Sequence, residues 1–489
     1  MPTHRRYKGA SRRSRSVRSP SRADVSHRDP SPAMRISPTD LMEVPSHGHR
    51  RSKRSSSASS SSATPYPTWV ILNRMGARRD SFHGDGTTSA ASCTSAGSEE
   101  IRVSFHLAKP PRTSLLVLDW PQGPRPSEGT TSHPHVIAAH RSAVLLEIIS
   151  PAKYPRQRAV DYFVYDANGN ASEGVRHPAS LTQLPVCYWK GTSNADIPRP
   201  RVMGRESMGL LSCDKDLFII ADLETRLQPS AVNIYLFCSG SDDWRVLRGV
   251  PIWDDDDGHG VSDLGWWSTD AVLPYGRRFL IWVDYLRGMI IANMVHGSEN
   301  DLQQRPVPVL RYVPLPVDPV LGNPYHGDYG RGCPEATRSL CATNHGIKFV
   351  SVNNTHGNIT LFSLLENNQT WREDATLDFA QLWDLDSENR IPHVKPKFPV
   401  VDMEHPHVVC FLLNKDRHFA EPEAATWMIK VHMKKKILLD ITDYSYSNKV
   451  GRSSSYQKSY RTAREMSEGL SFISTEMPCY LSAETMERH

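Results

Sequence analysis

The chain has 489 residues, 38% hydrophobic and 23% charged, enough apolar material for one large domain or two ordinary ones. Its 36 prolines outnumber its 29 glycines, which works against long helices and favours strands, turns and loops. The net charge of +5 is unevenly spread, because residues 1 to 62 carry 14 Lys/Arg against 4 Asp/Glu while the remainder is mildly acidic; the apolar runs are too short and too charged for a membrane span.

Residues 1–64 contain SRRSRSVRSPSR and HRRSKRSSSASSSS. So few apolar residues do not offset the entropy of ordering, so a disordered, basic Ser/Arg-rich arm is expected. The cluster Arg50–Arg51–Ser52–Lys53–Arg54 suits nuclear import. The Ser/Arg alternation suits RNA phosphates, with phosphorylation at Ser19 or Ser31 as a control. Against an organelle transit peptide stand Asp24, Asp29, Asp40 and Glu43, and no apolar h-region marks a secretory signal. A nuclear or cytoplasmic protein is therefore expected. The bland alternative for the arm is a solvated tail with no specific role.

Residues 66–444 read as a strand-rich body. Val136–Ile149 is a strand, a polar break and a strand; Asp161–Leu184 and Asp216–Leu247 repeat the pattern. Arg278–Met294 reads RFLIWVDYLRGMIIANM. It is too short for a span and holds Asp284 and Arg287, and Ile, Val, Trp, Tyr and Phe are strand formers. A hairpin is expected, with strands Phe279–Asp284 and Met289–Met294 and a turn near Tyr285–Gly288, Gly288 supplying a positive φ. Lys348–Trp371 and Val408–Leu439 follow the same grammar: an apolar strand, then Asp, Asn or Gly, then a second strand, often with Trp beyond. Strands starting near 136, 162, 217, 279, 348 and 408 suggest propeller blades. Trp244, Trp371 and Trp267 are expected as fillers between blades. The predicted fold is all-β, a β-propeller-like array of antiparallel strand pairs; two β-sandwich-like domains are the alternative. Short helices are expected at 378–385 and 462–470. Residues 445–489 form a polar C-terminal segment, with SYSNKVGRSSSYQKSY at 445–460, that ends on SFISTEMPCYL and a short tail.

Motifs that carry chemistry are absent or incomplete. Trp253–Gly260 reads WDDDDGHG. With Gly258 at position six of an EF-hand, positions one and twelve are Trp253 and Leu264, so the ligand carboxylates are missing. GRESMG at 204–209 is one residue too long for a nucleophile elbow. GDG at 84–86 lacks the third glycine of a dinucleotide fingerprint. HPH occurs at 133–135 and 405–407, with His393 nearby, but H-E-x-x-H does not, and surface histidines are the simpler reading. The eight cysteines contain no C-x-x-C, and Cys333 and Cys341 lack a second pair at zinc spacing, so reduced structural thiols are expected. No catalytic, cofactor-binding or metal-ligating residue is nominated, and no cofactor is expected.

The order of TWVILNRMG (68–76), DYFVYDA (161–167), LFIIADL (217–223), DWRVL (243–247), FLIWVDYLRGMIIANM (279–294), RYVPLP (311–316), IKFVSV (347–352) and PCYL (478–481) resembles the plant domain of unknown function 1618 proteins, abundant in grasses. The resemblance implies a named domain from near Trp282 to about residue 415. It carries over no activity and no site residue. The expectation is a non-catalytic protein-interaction module with an unidentified protein partner. The alternatives are a hydrolase or lyase at the propeller channel mouth, with Asp254–Asp257 and His259 as the first residues to inspect, and nucleic-acid (RNA) binding through residues 1–64.

Overall fold

A computed structural model describes residues 66–83, 88–93, 99–123, 133–151, 158–168, 178–189, 200–213, 217–225, 231–253, 267–295, 307–317, 332–365, 370–414, 426–444 and 471–481. All belong to one of the chain's two units, Pro38–His489. The arm at 1–64, GDG at 84–86, Asp254–Asp257 with His259, and the segments 445–460 and 462–470 lie outside the described residues.

The described residues form six strand meanders. The first contains β1 (Val70–Asn73), β2 (Ala77–Arg79), β3 (Ala90–Cys93), β4 (Glu100–His106) and β5 (Thr113–Asp119). The second contains β6 (His135–His140), β7 (Ala143–Pro151), β8 (Arg158–Asp166) and β9 (Ser180–Gln183). The third runs β10 (Met208–Ser212), β11 (Phe218–Thr225), β12 (Ala231–Cys238) and β13 (Arg245–Trp253). The fourth runs β14 (Ala271–Tyr275), β15 (Phe279–Asp284), β16 (Gly288–Asn293) and β17 (Leu310–Pro314). The fifth holds β18 (Arg338–Thr343), β19 (Gly346–Asn353), β20 (Asn358–Leu364) and β21 (Trp371–Asp378). After helix α1 (Phe379–Asp384) the sixth holds β22 (Lys397–Val401), β23 (Val408–Asn414), β24 (Thr426–His432) and β25 (Ile437–Asp443).

The ring closes through a strand that the sequence places beyond the body. β26 (Phe472–Thr475) pairs antiparallel with β1, Val70 opposite Thr475 and Asn73 opposite Phe472, and becomes the inner strand of the first sheet. The inner strands β6, β10, β14, β18, β22 and β26 then touch in succession and return to β6. This is the propeller-like array. It is not wholly antiparallel: β1 and β2 run parallel to β5, and β13 runs parallel to β17. The last pairing joins the third and fourth meanders into one eight-stranded sheet.

Sheets buried on both faces need continuous apolar strands rather than alternating ones. β15 (FLIWVD) and β16 (GMIIAN) are buried at every position. Core clusters fill the seams: Phe105 and Phe163 between the first two sheets, Tyr235 and Trp244 between the second and third, Trp282 and Ile290 between the third and fourth, and Phe411 and Val350 between the fifth and sixth. Trp244 and Trp267 are such fillers, as expected. Trp371 is half-buried and reaches the fourth sheet by donating its Nε1–H to Pro314 O at 2.9 Å.

The hairpin at 279–293 forms where expected, but Gly288 has another reason to be glycine. It opens β16 without a positive φ, and a Cβ there would lie 2.6 Å from the Tyr312 ring. The turn is instead held by Asp284, whose Oδ1 accepts the Leu286 N–H at 3.0 Å and whose Oδ2 pairs with Arg287 at 2.9 Å. The strand starts at 136 and 162 belong to one sheet, being β6 and the third strand β8.

A chain ending at residue 470 lacks β26 and exposes the ladder edge of β1. It is expected to melt well below the full chain, with hydrogen-exchange protection lost first across Val70–Asn73; unchanged melting and protection would show that β26 is not the closing strand.

Candidate functional site

Between β9 and β10 the chain makes a short ribbon that buries an arginine. Tyr188 pairs antiparallel with Pro200, and the Arg201 N–H donates to Cys187 O at 2.7 Å. Alternate residues of a ribbon face opposite sides. Here Val186, Tyr188, Pro200 and Val202 face out, while Cys187, Arg201 and Met203 face in. A surface ribbon ordinarily turns its polar residues to water; this one buries its arginine beside Cys187 and Met203 and leaves Val186, Tyr188, Pro200 and Val202 outside. Tyr188 is 42%, Trp189 46% and Val202 64% exposed.

The buried arginine is what holds that face in place. Arg201 Nη1 bonds Asp222 Oδ2, and its guanidinium lies 3.8 Å from the Tyr235 ring centroid and 5.3 Å from that of Trp189. Burial disfavours the cation, but Asp222, Tyr235 and Glu224 together outweigh burial and raise the guanidinium pKa. The ribbon is clamped further: Tyr162 OH donates to Met203 O at 3.3 Å, and Trp244 Nε1–H to Pro185 O at 2.8 Å. GRESMG lies just after it. Ser207 Oγ donates to Asp222 Oδ1 at 2.5 Å, and Ser207 O accepts the Trp282 Nε1–H at 2.8 Å. No histidine bonds this hydroxyl among the described residues, so the motif braces the ion pair and is no nucleophile elbow.

The first HPH motif is less superficial than the sequence suggests, while His405 of the second is exposed, as expected. His135 is buried, and burial, then Arg205 and Arg74, hold its pKa well below the usual range. In the second motif, Asp402 Oδ1 accepts the N–H groups of Glu404 and His405, both at 3.0 Å, making a tight turn. Asp402, Glu404 and His405 place three potential ligand atoms within 4.8 Å. Lys430 Nζ, however, sits 2.7 Å from Asp402 Oδ2, so a cation already occupies this carboxylate. The His407 ring stacks on His432 at 6.2 Å. Burial lowers the pKa of both, assisted by Lys348 at His407 and by Lys435 at His432. His393 stacks on Trp383 at 5.0 Å.

A cavity of about 190 Å³ lies within the ring of inner strands. His140 lines it; its Nδ1 accepts the Ser212 N–H at 2.9 Å, and burial followed by Arg141 lowers its pKa to about 3. Cys341 also lines it, and burial pushes that thiol up, away from reactivity. Ser339 Oγ touches Cys341 Sγ at 3.4 Å, and Thr343 Oγ1 donates to Gly346 O at 2.8 Å. Neither hydroxyl meets a base among the described residues.

Sequence reasoning missed the ribbon. The available signal was the alternation in PVCYW and PRVM, patterns of five and four residues separated by residues 190–199, too short to stand out alone.

Among known proteins, residues 282–410 match the model of a family described as protein of unknown function (DUF1618). The match begins inside β15 and ends inside β23, so it does not delimit a closed structural unit. No curated protein matches the chain. Among solved structures, one similar chain is from Bacteroides fragilis and is described as a putative 6-phosphogluconolactonase. It shares 10% identity at a TM-score of 0.23, over 74% of this chain and 94% of that one. So low a likeness carries no argument.

Two outcomes follow from these contacts. Arg201→Met leaves Asp222 buried without its cation and is expected to cost about 3 kcal/mol or more in denaturant unfolding, much of it recovered when Asp222→Leu is added. Acidification should also destabilise the fold. His135, His140, His407 and His432 have folded pKa values below their ordinary value. The unfolded chain therefore binds more protons, and stability is lost as pH falls below about 6.5. Urea midpoints at pH 7 and pH 5 measure this, and His407→Gln with His432→Gln should reduce the difference.

Proposed function

Since the chain carries at residues 282–410 the domain of the DUF1618 family, proteins of unknown function, we propose from its surface chemistry that it is a non-catalytic protein-interaction module, nuclear or cytoplasmic. The observation that carries this reading is the set of exposed apolar side chains on a clamped ribbon: Val186, Tyr188 and Val202 on its outward face, and Trp189, half-exposed at its edge beside Arg201. Contiguous exposed apolar residues mark contact surfaces more often than isolated ones do. Tyr and Trp are the residues on which binding energy concentrates, because they offer large rigid area at little entropy cost. The clamps at Pro185, Arg201 and Met203 pre-order this surface, which lowers the ordering cost of association. No helix among the described residues is long and apolar enough to cross a membrane.

The test is affinity capture from nuclease-treated grass-cell extract, the source that the sequence resemblance suggests. Full-length protein is compared with Tyr188→Ala/Trp189→Ala. A stoichiometric protein partner kept by the first and lost by the second, at unchanged melting temperature, is the expected result. An identical set of partners on both would reject the ribbon as the contact surface. Only nuclease-sensitive material on both would move the function to the basic arm.

A further inference from the structure

The cavity inside the ring carries a second inference, independent of the ribbon. The inner strands that surround it read HVIAAH, AVLPY, RSLCAT and FIST. Ala138, Ala139, Ala271 and Ala342 line the cavity, and about 190 Å³ is left open. A dry protein cavity of about 150 Å³ holds benzene, so one six-membered ring with a substituent fits here.

The charge of the lining is one-sided. Arg74, Arg141 and Arg277 line the cavity against one carboxylate, Glu476. Arg74 donates Nη1–H to Ile137 O at 2.7 Å on the wall of the ring. Arg141 lies 5.8 Å from the Tyr480 ring centroid. Neither has a carboxylate partner among the described residues. Arg141 also holds the left-handed conformation, φ 53°, in the two-residue turn after β6, a conformation in which glycine or asparagine is at less cost than arginine. Arg277 occupies the corresponding turn after β14. Because the His140 Nδ1 accepts a hydrogen bond, the neutral ring keeps its proton on Nε2 and is a donor.

Cations in a confined space with largely apolar walls are stabilised by an anion that brings its own charge and acceptors. We propose that the central channel binds a small organic carboxylate with an apolar body. The carboxylate is held by the channel arginines, Arg141 foremost, and the body rests among the small residues of the inner strands.

Benzoate and benzamide, which share a ring and differ in charge, are the probes. Ligand-observed NMR on the full chain is expected to show saturation transfer to benzoate and little to benzamide. Arg141→Gln should weaken benzoate binding about tenfold or more, and Arg141→Lys should retain most of it. Arg74→Gln tests the same dependence at a second lining arginine. Absence of benzoate binding to the native chain would overturn the proposal. So would equal binding of the two probes, or native-like benzoate binding by Arg141→Gln. The two-probe comparison on the native protein stands even if a variant fails to fold.

Discussion

Four residue pairs, from Val70 opposite Thr475 to Asn73 opposite Phe472, hold the ring shut. Loop closure over nearly the whole chain costs entropy that grows only slowly with length, and the ladder is reinforced where it meets its neighbours. Tyr444 OH donates to Asn73 Oδ1 at 3.0 Å, and Cys479 Sγ lies 2.9 Å from Thr68 O. Because the ring is shut, the first sheet has a neighbour on either side. Phe105 and Leu146 pack on one side of it, Ile71 and Cys410 on the other. An open array would leave one of those faces in water. The apolar runs that define the strands make sense only as parts of a closed circle.

The ribbon around Arg201 depends on this frame. Its inward residues enter the seam between the second and third sheets, where Cys187 and Met203 join Tyr162, Tyr235 and Trp244. A buried ion pair gains little net stability over apolar residues of the same shape. Arg201 and Asp222 therefore contribute direction more than energy: the pair fixes which side of the ribbon faces the seam, and so which side faces out. The same account explains why Ser207 bonds a carboxylate without forming a catalytic pair.

Much of the fold was legible in the sequence because its turns obey local chemistry. The grammar of an apolar strand followed by Asp or Asn is an Asx turn in several places. Asp166 accepts the N–H of Asn168, Asp284 that of Leu286, Asn353 that of Thr355, and Asp402 that of Glu404. Helix α1 was legible from DFAQLWDL, with Phe379 and Leu382 buried. What was not legible depends on residues far apart. The ladder of β26 with β1 leaves no mark in either four-residue strand, and Gly288 is explained by Tyr312 across the sheet, not by its own turn. The ribbon escaped notice because its two halves are ten residues apart in the sequence. The cavity escaped notice because small residues on different strands reveal nothing until the strands are arranged around one axis.

The parallel contact of β13 with β17 gives the circle an uneven stiffness. Ile252 pairs with Leu310 and Trp253 with Arg311 at the outer rim, while β10 touches β14 at the inner rim. The seam between the third and fourth sheets is thus stitched on both rims around Trp282 and Ile290. It cannot swing open as a hinge, because opening would break backbone hydrogen bonds as well as side-chain packing. These eight strands should therefore behave as one cooperative unit in local unfolding, and any breathing of the circle is left to the other seams.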